Sequence, residues 1–444
     1  MEPPARAWLA ATLPPLATLF AFDTLVRRVV GKAAPPALVG MLSLFVSLAQ
    51  LLPPSMARGL QSYLAPAATL LNAWTPAFWV PPIILLPFAV SSMGVALQPM
   101  IMFILLALLG LVANLGLAGW AAQCAAGGCV VDASGPAGGS PSADLPPDSP
   151  PTPYSLLQAQ RFLLLLCALC ALAATTLLRL SLARPLAHAL AATSLGAATL
   201  GGLATGQRFP KRIQAVVNPF LTSAAMTFMT TLGLAAALGT TPSAVINSYY
   251  LPPLGSGGGL GSVGAGTVLS RFLGPTNVAY ALPMYAFRAM MQARARQLVS
   301  AVLATASSSL LFSALAARLF RLPAPLNLAL MPRGIAIPFA SEACSQLGIP
   351  VSIGLLPVFI TGLSALSYAP ALLNAMRIGD PVARGLAAGC ASHGGGILSV
   401  TPETEALPFA VIGMALTGAL TVALLCLPPV RALLLVIAGA SAAA

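Results

Sequence analysis

The chain has 444 residues, of which 58% are hydrophobic and only 7% are charged. A water-soluble domain carries about 25% charged residues, so this composition excludes a soluble globular protein and indicates a polytopic α-helical membrane protein. The formal net charge is +12. Because the lysines and arginines stand singly or in small groups at the ends of apolar stretches, they favour anchoring at the membrane interface over nucleic-acid binding.

Apolar runs of about 20 residues mark the candidate membrane spans. In the N-terminal part they lie near 8–26, 37–52, 63–94 and 98–123, the third being long enough for two short spans. A stretch rich in proline, glycine and serine follows over 124–157, and it holds neither lysine nor arginine. Such composition is typical of a linker. It predicts one membrane domain over 1–123 and a second over 158–444.

The second predicted domain continues with apolar runs of the same kind. They lie near 158–179, 186–204, 213–239, 266–290, 298–320, 324–347, 351–374, 384–400 and 405–427. We therefore expect an all-α fold of about 12 transmembrane helices, with broken helices in the C-terminal domain.

Proline and glycine interrupt several of these spans. The interruptions are Asn218-Pro219, Gly274-Pro275-Thr276-Asn277, Met331-Pro332-Arg333-Gly334 and Ser392-His393-Gly394-Gly395-Gly396. Proline removes a backbone donor and glycine weakens a helix. Unpaired backbone at membrane depth is tolerated only where protein covers it or where it lines a cavity. Broken spans therefore point to the binding site of a transporter.

Enzyme motifs are absent or out of context. Gly259-x-Gly261-x-x-Gly264 matches a dinucleotide-binding pattern, but no predicted strand precedes it, and a flexible loop is the simpler interpretation. There is no P-loop and no zinc-protease or serine-hydrolase motif, and the chain has only two histidines. No Cys/His spacing fits a metal site. The sequence predicts neither an enzyme nor a bound cofactor or metal.

The interruption around Pro275 is the first candidate binding site. Thr276 and Asn277 directly follow the proline, where a half-helix would begin. Exposed N–H groups and the positive end of the helix dipole suit an anion at such a start. The alternative is an ordinary proline-initiated helix in which Asn277 bonds to a neighbour.

Arg333 is the second candidate, standing between Pro332 and Pro338 in apolar sequence. An arginine at the centre of a bilayer costs at least about 2.5 kcal/mol. The side chain therefore either extends to the membrane interface or faces a cavity. In a cavity its guanidinium is the natural partner of a carboxylate.

Asp380 and Arg384 open the last interrupted span. Asp380 precedes Pro381, which is the pattern of a helix capped by aspartate. Arg384 would then lie in the first turn, with Asp380 as its candidate partner. We predict a structural, supporting role for both residues. We predict the same role for Pro275 and Pro338, the prolines beside the first two candidate sites.

The run Ser392-His393-Gly394 is the last candidate site. Histidine is the side chain that titrates near neutral pH, and the glycines after it allow a ligand or backbone to approach closely. The alternative is a histidine that only bonds to a neighbour. We name His393, with Glu403 downstream, as candidates for proton coupling.

Residues around these candidates resemble the LrgB (LrgB/CidB) family of membrane proteins. The matching stretches are Arg294-Ala-Arg296, Leu372 to Ile378, Ala383 to Ala387, Ala391-Ser392-His393, Glu403 to Phe409 and Leu425 to Arg431. The stretch Arg333 to Ala340 stands where the family has K-S-V-T-T-P-I-A, so Ala336 and Ile337 replace its two threonines. Gly394-Gly395-Gly396 replaces Ala-Ile-Gly. The N-terminal part, with Trp79 to Pro82, resembles the holin-like LrgA subunit.

A fused LrgA–LrgB chain of this kind implies a carrier for glycolate and glycerate in photorespiration, located in the chloroplast inner envelope. The leading hypothesis is a secondary transporter of small 2-hydroxy monocarboxylates. The substrate carboxylate would meet Arg333 or the helix start near Asn277, and His393 would bind the hydroxyl or carry a proton.

The other hypothesis is a holin-like pore or a regulator of lysis, as the bacterial names imply. The plasma membrane is the alternative location, because no transit peptide is recognisable before the first apolar run at Trp8. The predicted partners are lipid and a small carboxylate. Co-transported protons and a homo-oligomer are left open.

Overall fold

The computed structural model of the protein describes residues 3–30, 36–84, 96–127, 155–180, 182, 184–214, 217–249 and 264–439. Most of the predicted linker, the glycine-rich run before Gly264 and residues 85–94 of the third predicted span lie outside the described residues. The described part is helical and contains no β-strand. It holds eight helices that are long and apolar enough to cross a membrane, and two shorter apolar ones. The prediction of an all-α polytopic membrane protein is confirmed.

The helices follow the predicted spans over most of the chain. Helices α1 to α4 are Pro3–Val30, Pro36–Val46, Pro54–Ile84 and Leu97–Ala125. Helices α5 to α8 are Leu156–Arg179, Arg184–Gln207, Pro219–Leu238 and Pro242–Tyr249. Helices α9 to α12 are Ala265–Arg271, Leu273–Ala279, Ala281–Ala286 and Arg288–Ala293. Helices α13 to α18 are Ala295–Leu319, Ile337–Leu347, Val351–Ala375, Pro381–Val400, Leu407–Cys426 and Pro428–Ala438. A 3₁₀-helix, Leu328–Gly334, precedes α14.

Capping residues set several helix ends. The Oδ1 atom of Asn218 accepts a hydrogen bond of 2.9 Å from the Phe220 N–H, with Pro219 in the first turn of α7. Ser155 and Gln158 form a capping box at the start of α5. Both patterns satisfy backbone donors that a helix start leaves without partners. Asn218-Pro219, named above as an interruption of the predicted span 213–239, is thus the start of α7.

The chain divides into two compact units, and each contains two separate segments. The first comprises Met1–Phe88 with Pro146–Ala281, and the second comprises Ala89–Leu145 with Leu282–Ala444. Helix α4 therefore belongs to the same unit as α13 to α18. The predicted domains 1–123 and 158–444 describe the sequence rather than these units, and they stay a prediction.

In the first unit, buried hydroxyl groups join three helices. The Thr199 hydroxyl on α6 lies 2.9 Å from the Thr227 hydroxyl on α7 and 2.9 Å from the Tyr249 hydroxyl on α8. Gly206 lets α6 approach the start of α7, since a Cβ there would lie 2.5 Å from Pro219 Cα. Small residues and interhelical hydroxyl bonds are common means by which membrane helices associate.

In the second unit, α16 packs against α4, α13, α15 and α17. Glycines permit this dense packing. A Cβ at Gly395 would overlap the Gly362 carbonyl on α15, and a Cβ at Gly389 would overlap the Ala410 carbonyl on α17. The helices thus meet backbone to backbone, as small residues allow in membrane bundles. This packing brings the interrupted middle of α16 against its neighbours.

Candidate functional site

Two helix interruptions of the second unit meet each other. The 3₁₀-helix ends at Gly334, and Ile335 and Ala336 are extended before α14 begins. Helix α16 is interrupted at Ser392 and His393, whose backbone angles are not helical. A Cβ on Gly334 would lie 3.2 Å from the carbonyl oxygen just before that break, on Ala391. The predicted interruptions at 331–334 and 392–396 are confirmed, and they are in contact.

The contact between these two interruptions, at Gly334 and Ala391, is called the crossing below. Arg333 lies beside it and is 1% exposed. Its Nη1 donates to the Ser309 carbonyl oxygen at 3.1 Å and to the Ser313 hydroxyl, both on α13. The Phe312 ring covers one face of the guanidinium, with its centroid 4.9 Å from Cζ. The Nε and Nη2 donors have no hydrogen-bond partner among the described residues. Arg333 is therefore buried in protein.

Gly110 of α4 packs directly against this guanidinium. A Cβ at this position would overlap Nε and would lie 2.6 Å from both Cζ and Nη2. Only a residue without a side chain leaves room for Arg333 in this arrangement. Sequence reasoning missed Gly110, because a glycine in an apolar span gives no sign of the arginine that it will meet more than two hundred residues later.

Helix α15 connects Arg333 with His393. The Thr361 hydroxyl donates to the Arg333 carbonyl oxygen at 2.5 Å. The Nε2 atom of His393 lies 3.0 Å from the Val358 carbonyl oxygen. Because a carbonyl oxygen can only accept, Nε2 carries the hydrogen of this bond. The ring also packs on Gly362, where a Cβ would lie 2.6 Å from Cε1. The structure thus gathers two of the predicted site residues around one helix.

Ser392 and Gly394 flank His393 and are both buried. The Ser392 hydroxyl donates to the Ala388 carbonyl oxygen at 2.8 Å, which is a bond within its own helix. This bond lies at the point where the break releases carbonyl groups from the regular helical pattern. Ser392 therefore supports the break, and its predicted contact with substrate stays a prediction.

Asp380 caps α16 as predicted, but Arg384 has another partner than expected. The Asp380 carboxylate accepts from the Ala383 N–H at 3.1 Å. Arg384 instead forms a two-bond ion pair with Glu403, with N–O distances of 2.7 and 2.6 Å. The predicted Arg384–Asp380 pair is wrong, because Arg384 pairs with Glu403, while Oδ2 of Asp380 accepts from the helix start and from the Gln297 amide at 3.2 Å.

Thr276 and Asn277 belong to the first compact unit, and the predicted half-helix start after Pro275 is wrong. Helix α10 starts at Leu273, and Phe272 before it keeps helical angles. The Thr276 N–H donates to the Phe272 carbonyl oxygen at 3.0 Å, so it is not an exposed helix-start donor. Pro275 is tolerated because it lies in the first turn, where its missing N–H costs nothing.

Pro338 follows Ile337 at the start of α14. Glu403 is paired with Arg384 rather than with His393 in the described contacts.

None of the described His, Cys, Asp and Glu side chains gather in threes as a metal site would need. The crossing instead offers a buried cation, next to a broken helix, with two donors that lack a partner in the described part of the chain. Such an arrangement can bind a small anion.

The first unit contains a separate cavity of about 700 Å³. Its walls come from α3, α5, α6 and α9 and include the aromatic side chains Trp74, Phe78, Phe162 and Phe272. Apart from Gln158 the lining side chains are apolar. The cavity suits hydrocarbon rather than a small carboxylate, so the polar crossing of the second unit is the better candidate site.

A plastidal glycolate/glycerate translocator 1, chloroplastic, from Arabidopsis thaliana is 28% identical over 411 residues, which cover 91% of this chain and 76% of the relative. The uncharacterized protein YwbG from Bacillus subtilis is 27% identical over 131 residues, which cover 30% of this chain and 58% of that protein. No solved structure matches.

The translocator and the apolar helices together support a membrane transporter. The sequence profile of the LrgB-like family matches residues 199–429, which is just over half of the chain and includes both helix interruptions of the crossing. The chain therefore belongs to the LrgB-like family.

Proposed function

We propose that this chain is a secondary transporter of small 2-hydroxy monocarboxylates such as glycolate and glycerate. The observation that carries the proposal is the Arg333 guanidinium, buried at the crossing of two broken helices with Nε and Nη2 without partners among the described residues. The similarity to a glycolate/glycerate translocator supports this substrate class.

The chemistry of the guanidinium favours a carboxylate. The Nε and Nη2 hydrogens point in the same direction and match the two oxygens of a carboxylate in a bidentate pair. The acceptors that Arg333 has in the described residues are carbonyl and hydroxyl oxygens, and none is a carboxylate. Burying a charge without a counter-charge costs several kcal/mol. A bound substrate anion would offset that cost.

His393 is the second residue of the proposed site. Its ring is fixed by the bond to Val358 and by Gly362, and its backbone forms the break itself. We propose that it contacts the substrate hydroxyl or carries a co-transported proton. Glu403 is the other candidate for proton coupling, although its carboxylate is held by Arg384. Contacts of substrate with Thr276, Asn277, Ser392 and Gly394 stay predictions.

The name of the same relative carries the word chloroplastic, which supports a proposed location. We propose that the chain works in the chloroplast inner envelope, with the plasma membrane as the alternative. The lipid bilayer and the small carboxylate are its proposed partners. Protons and a second copy of the chain stay open.

The experiment that tests the proposal is uptake of radiolabelled glycolate into liposomes that contain the purified full chain. A carrier gives uptake that saturates and that unlabelled glycerate competes away. Uptake that stays linear with concentration and passes unrelated solutes equally would contradict the proposal and indicate a pore. Repeating the uptake at several external pH values tests proton coupling.

A further inference from the structure

Helix α4 holds a second buried polar group close to Arg333. Asn114 is 2% exposed and lies one helical turn after Gly110, which packs against the guanidinium. Residues four apart in a helix lie on the same face, with Cβ atoms about 5–6 Å apart. Asn114 and the guanidinium therefore lie on the same side of α4, about one turn from each other.

Helix α13 gives the same placement independently. The Ser308 hydroxyl lies 3.4 Å from Oδ1 of Asn114. The carbonyl of the next residue, Ser309, accepts from Nη1 of Arg333 at 3.1 Å. Adjacent residues of α13 thus contact the amide and the guanidinium. Two helices fix the two side chains beside one another.

The Asn114 amide is used only in part. Ser308 contacts one of its two polar groups, and Nδ2 has no hydrogen-bond partner among the described residues. A buried amide donor without an acceptor is costly and calls for an explanation. Nε and Nη2 of Arg333 are in the same condition. Three buried donors with no described partner therefore lie in one small region.

We propose that Asn114 is a substrate-binding residue that donates a hydrogen bond to the 2-hydroxyl oxygen of the acid. This inference rests on the proposed function, in which Arg333 binds the carboxylate. In a 2-hydroxy acid the hydroxyl oxygen lies on the carbon next to the carboxylate. Its hydrogen-bond donor must therefore lie close to the carboxylate's donors, and α4 and α13 place the Asn114 amide about one helical turn from the guanidinium.

One consequence concerns the division of the chain. Asn114 and Gly110 lie outside residues 199–429, which match the family profile. The segment that resembles a separate holin-like subunit thus supplies a wall of the binding site. Selection between acids with and without a 2-hydroxyl group depends on Asn114 of α4, while the guanidinium that binds the carboxylate belongs to the family region.

The test compares glycolate with acetate, which lacks the hydroxyl group. The wild-type chain and Asn114→Ala are reconstituted, and glycolate uptake is measured with acetate as competitor. Loss of one hydrogen bond to a neutral group lowers kcat/KM for glycolate by about tenfold, and inhibition by acetate stays unchanged. Gln123→Ala, which removes an amide further along α4, is the control and keeps the wild-type preference.

A second variant does not depend on the uptake assay. In Asn114→Asp the introduced carboxylate lies beside Arg333 and pairs with it, so glycolate no longer raises the melting temperature in detergent. An unchanged preference for glycolate over acetate in folded Asn114→Ala, or thermal stabilisation by glycolate in Asn114→Asp, would overturn the role of Asn114. Neither result would touch the proposed transport, which fails only if the wild-type chain shows no saturable glycolate uptake.

Discussion

Gly110 and Arg333 pack directly against each other within the second unit: a Cβ on the glycine would lie 2.6 Å from Cζ and from Nη2 of the arginine. The two residues come from segments that the linker separates in sequence. Their contact places α4 beside Nε and Nη2, the two donors of the guanidinium that have no partner in the described residues. The position of Arg333, and with it the proposed carboxylate site, therefore depends on a residue of α4 as well as on the family region.

Gly110→Ala is expected to weaken substrate binding without unfolding the protein. The added Cβ would displace the far end of a flexible side chain rather than backbone, so the guanidinium moves and the helices stay in place. A misplaced binding group raises KM, and we expect an increase of about tenfold or more. Glycolate uptake at varied concentration measures it.

Gly116→Ala on the same helix is the matched control. A Cβ there would lie 3.4 Å from Met376 Sδ, which is an ordinary contact. We expect wild-type KM for this variant. Equal KM values for the two alanine variants would contradict the account of Gly110.

His393 has a backbone conformation that favours glycine, with φ of 48° and ψ of −134°. For a residue with a Cβ such a conformation costs about 1–3 kcal/mol, and it persists here at the interruption of α16. We expect His393→Gly to melt at a higher temperature than His393→Ala, because only glycine relieves the backbone.

Both His393 variants are expected to lose glycolate uptake, since both lack the ring. Circular dichroism melting in detergent and uptake in liposomes provide the two measurements. The predicted role of the ring is wrong if His393→Gly transports at the wild-type rate. The account of the backbone is wrong if the alanine variant is the more stable one.

Glu403→Gln tests the ion pair between Arg384, in the first turn of α16, and Glu403, just after the end of α16. The Glu403 carboxylate accepts two bonds from Arg384, whose side chain is 12% exposed while that of Glu403 is 31% exposed. Partial exposure weakens such a pair, so we expect a loss of about 1–2 kcal/mol in the free energy of unfolding. The double variant Arg384→Gln/Glu403→Gln should lose less than the sum of the single variants.

Uptake by Glu403→Gln separates the structural task from the predicted proton coupling. Because the carboxylate is engaged by Arg384, we expect the surviving folded protein to keep its dependence of uptake on external pH. A loss of that dependence at unchanged stability would instead identify Glu403 as a proton carrier.

Local sequence signals were sufficient for several helices and for two of the interruptions. Apolar runs bounded by proline and glycine predicted α4, α13 and α17 within a few residues, and Asp380-Pro381 predicted a helix cap that the structure has. Glycine and proline at 331–334 and 392–396 predicted the two breaks that meet. These features depend on short-range backbone chemistry, which a sequence displays directly.

Long-range partners were not accessible in the same way. Nothing near Arg384 distinguishes Glu403 from Asp380 as its partner, and proximity in sequence favoured the wrong one. The start of α10 was placed after Pro275, although a proline is equally at home in the first turn. Gly110 and Asn114 carry no local signal at all, because their importance comes from Arg333, which packing brings to them.

The most direct measurement of the central claim is glycolate uptake by Arg333→Gln and Arg333→Lys in liposomes. The exposed Arg318 supplies the control variant Arg318→Gln, which removes an arginine that bonds to the Val436 carbonyl oxygen at 3.1 Å. If Arg333 binds the substrate carboxylate through two parallel bonds, Arg333→Gln loses uptake, Arg333→Lys restores little of it because lysine lacks the paired donors, and Arg318→Gln transports normally. Saturable uptake by folded Arg333→Gln at the wild-type KM would contradict the claim.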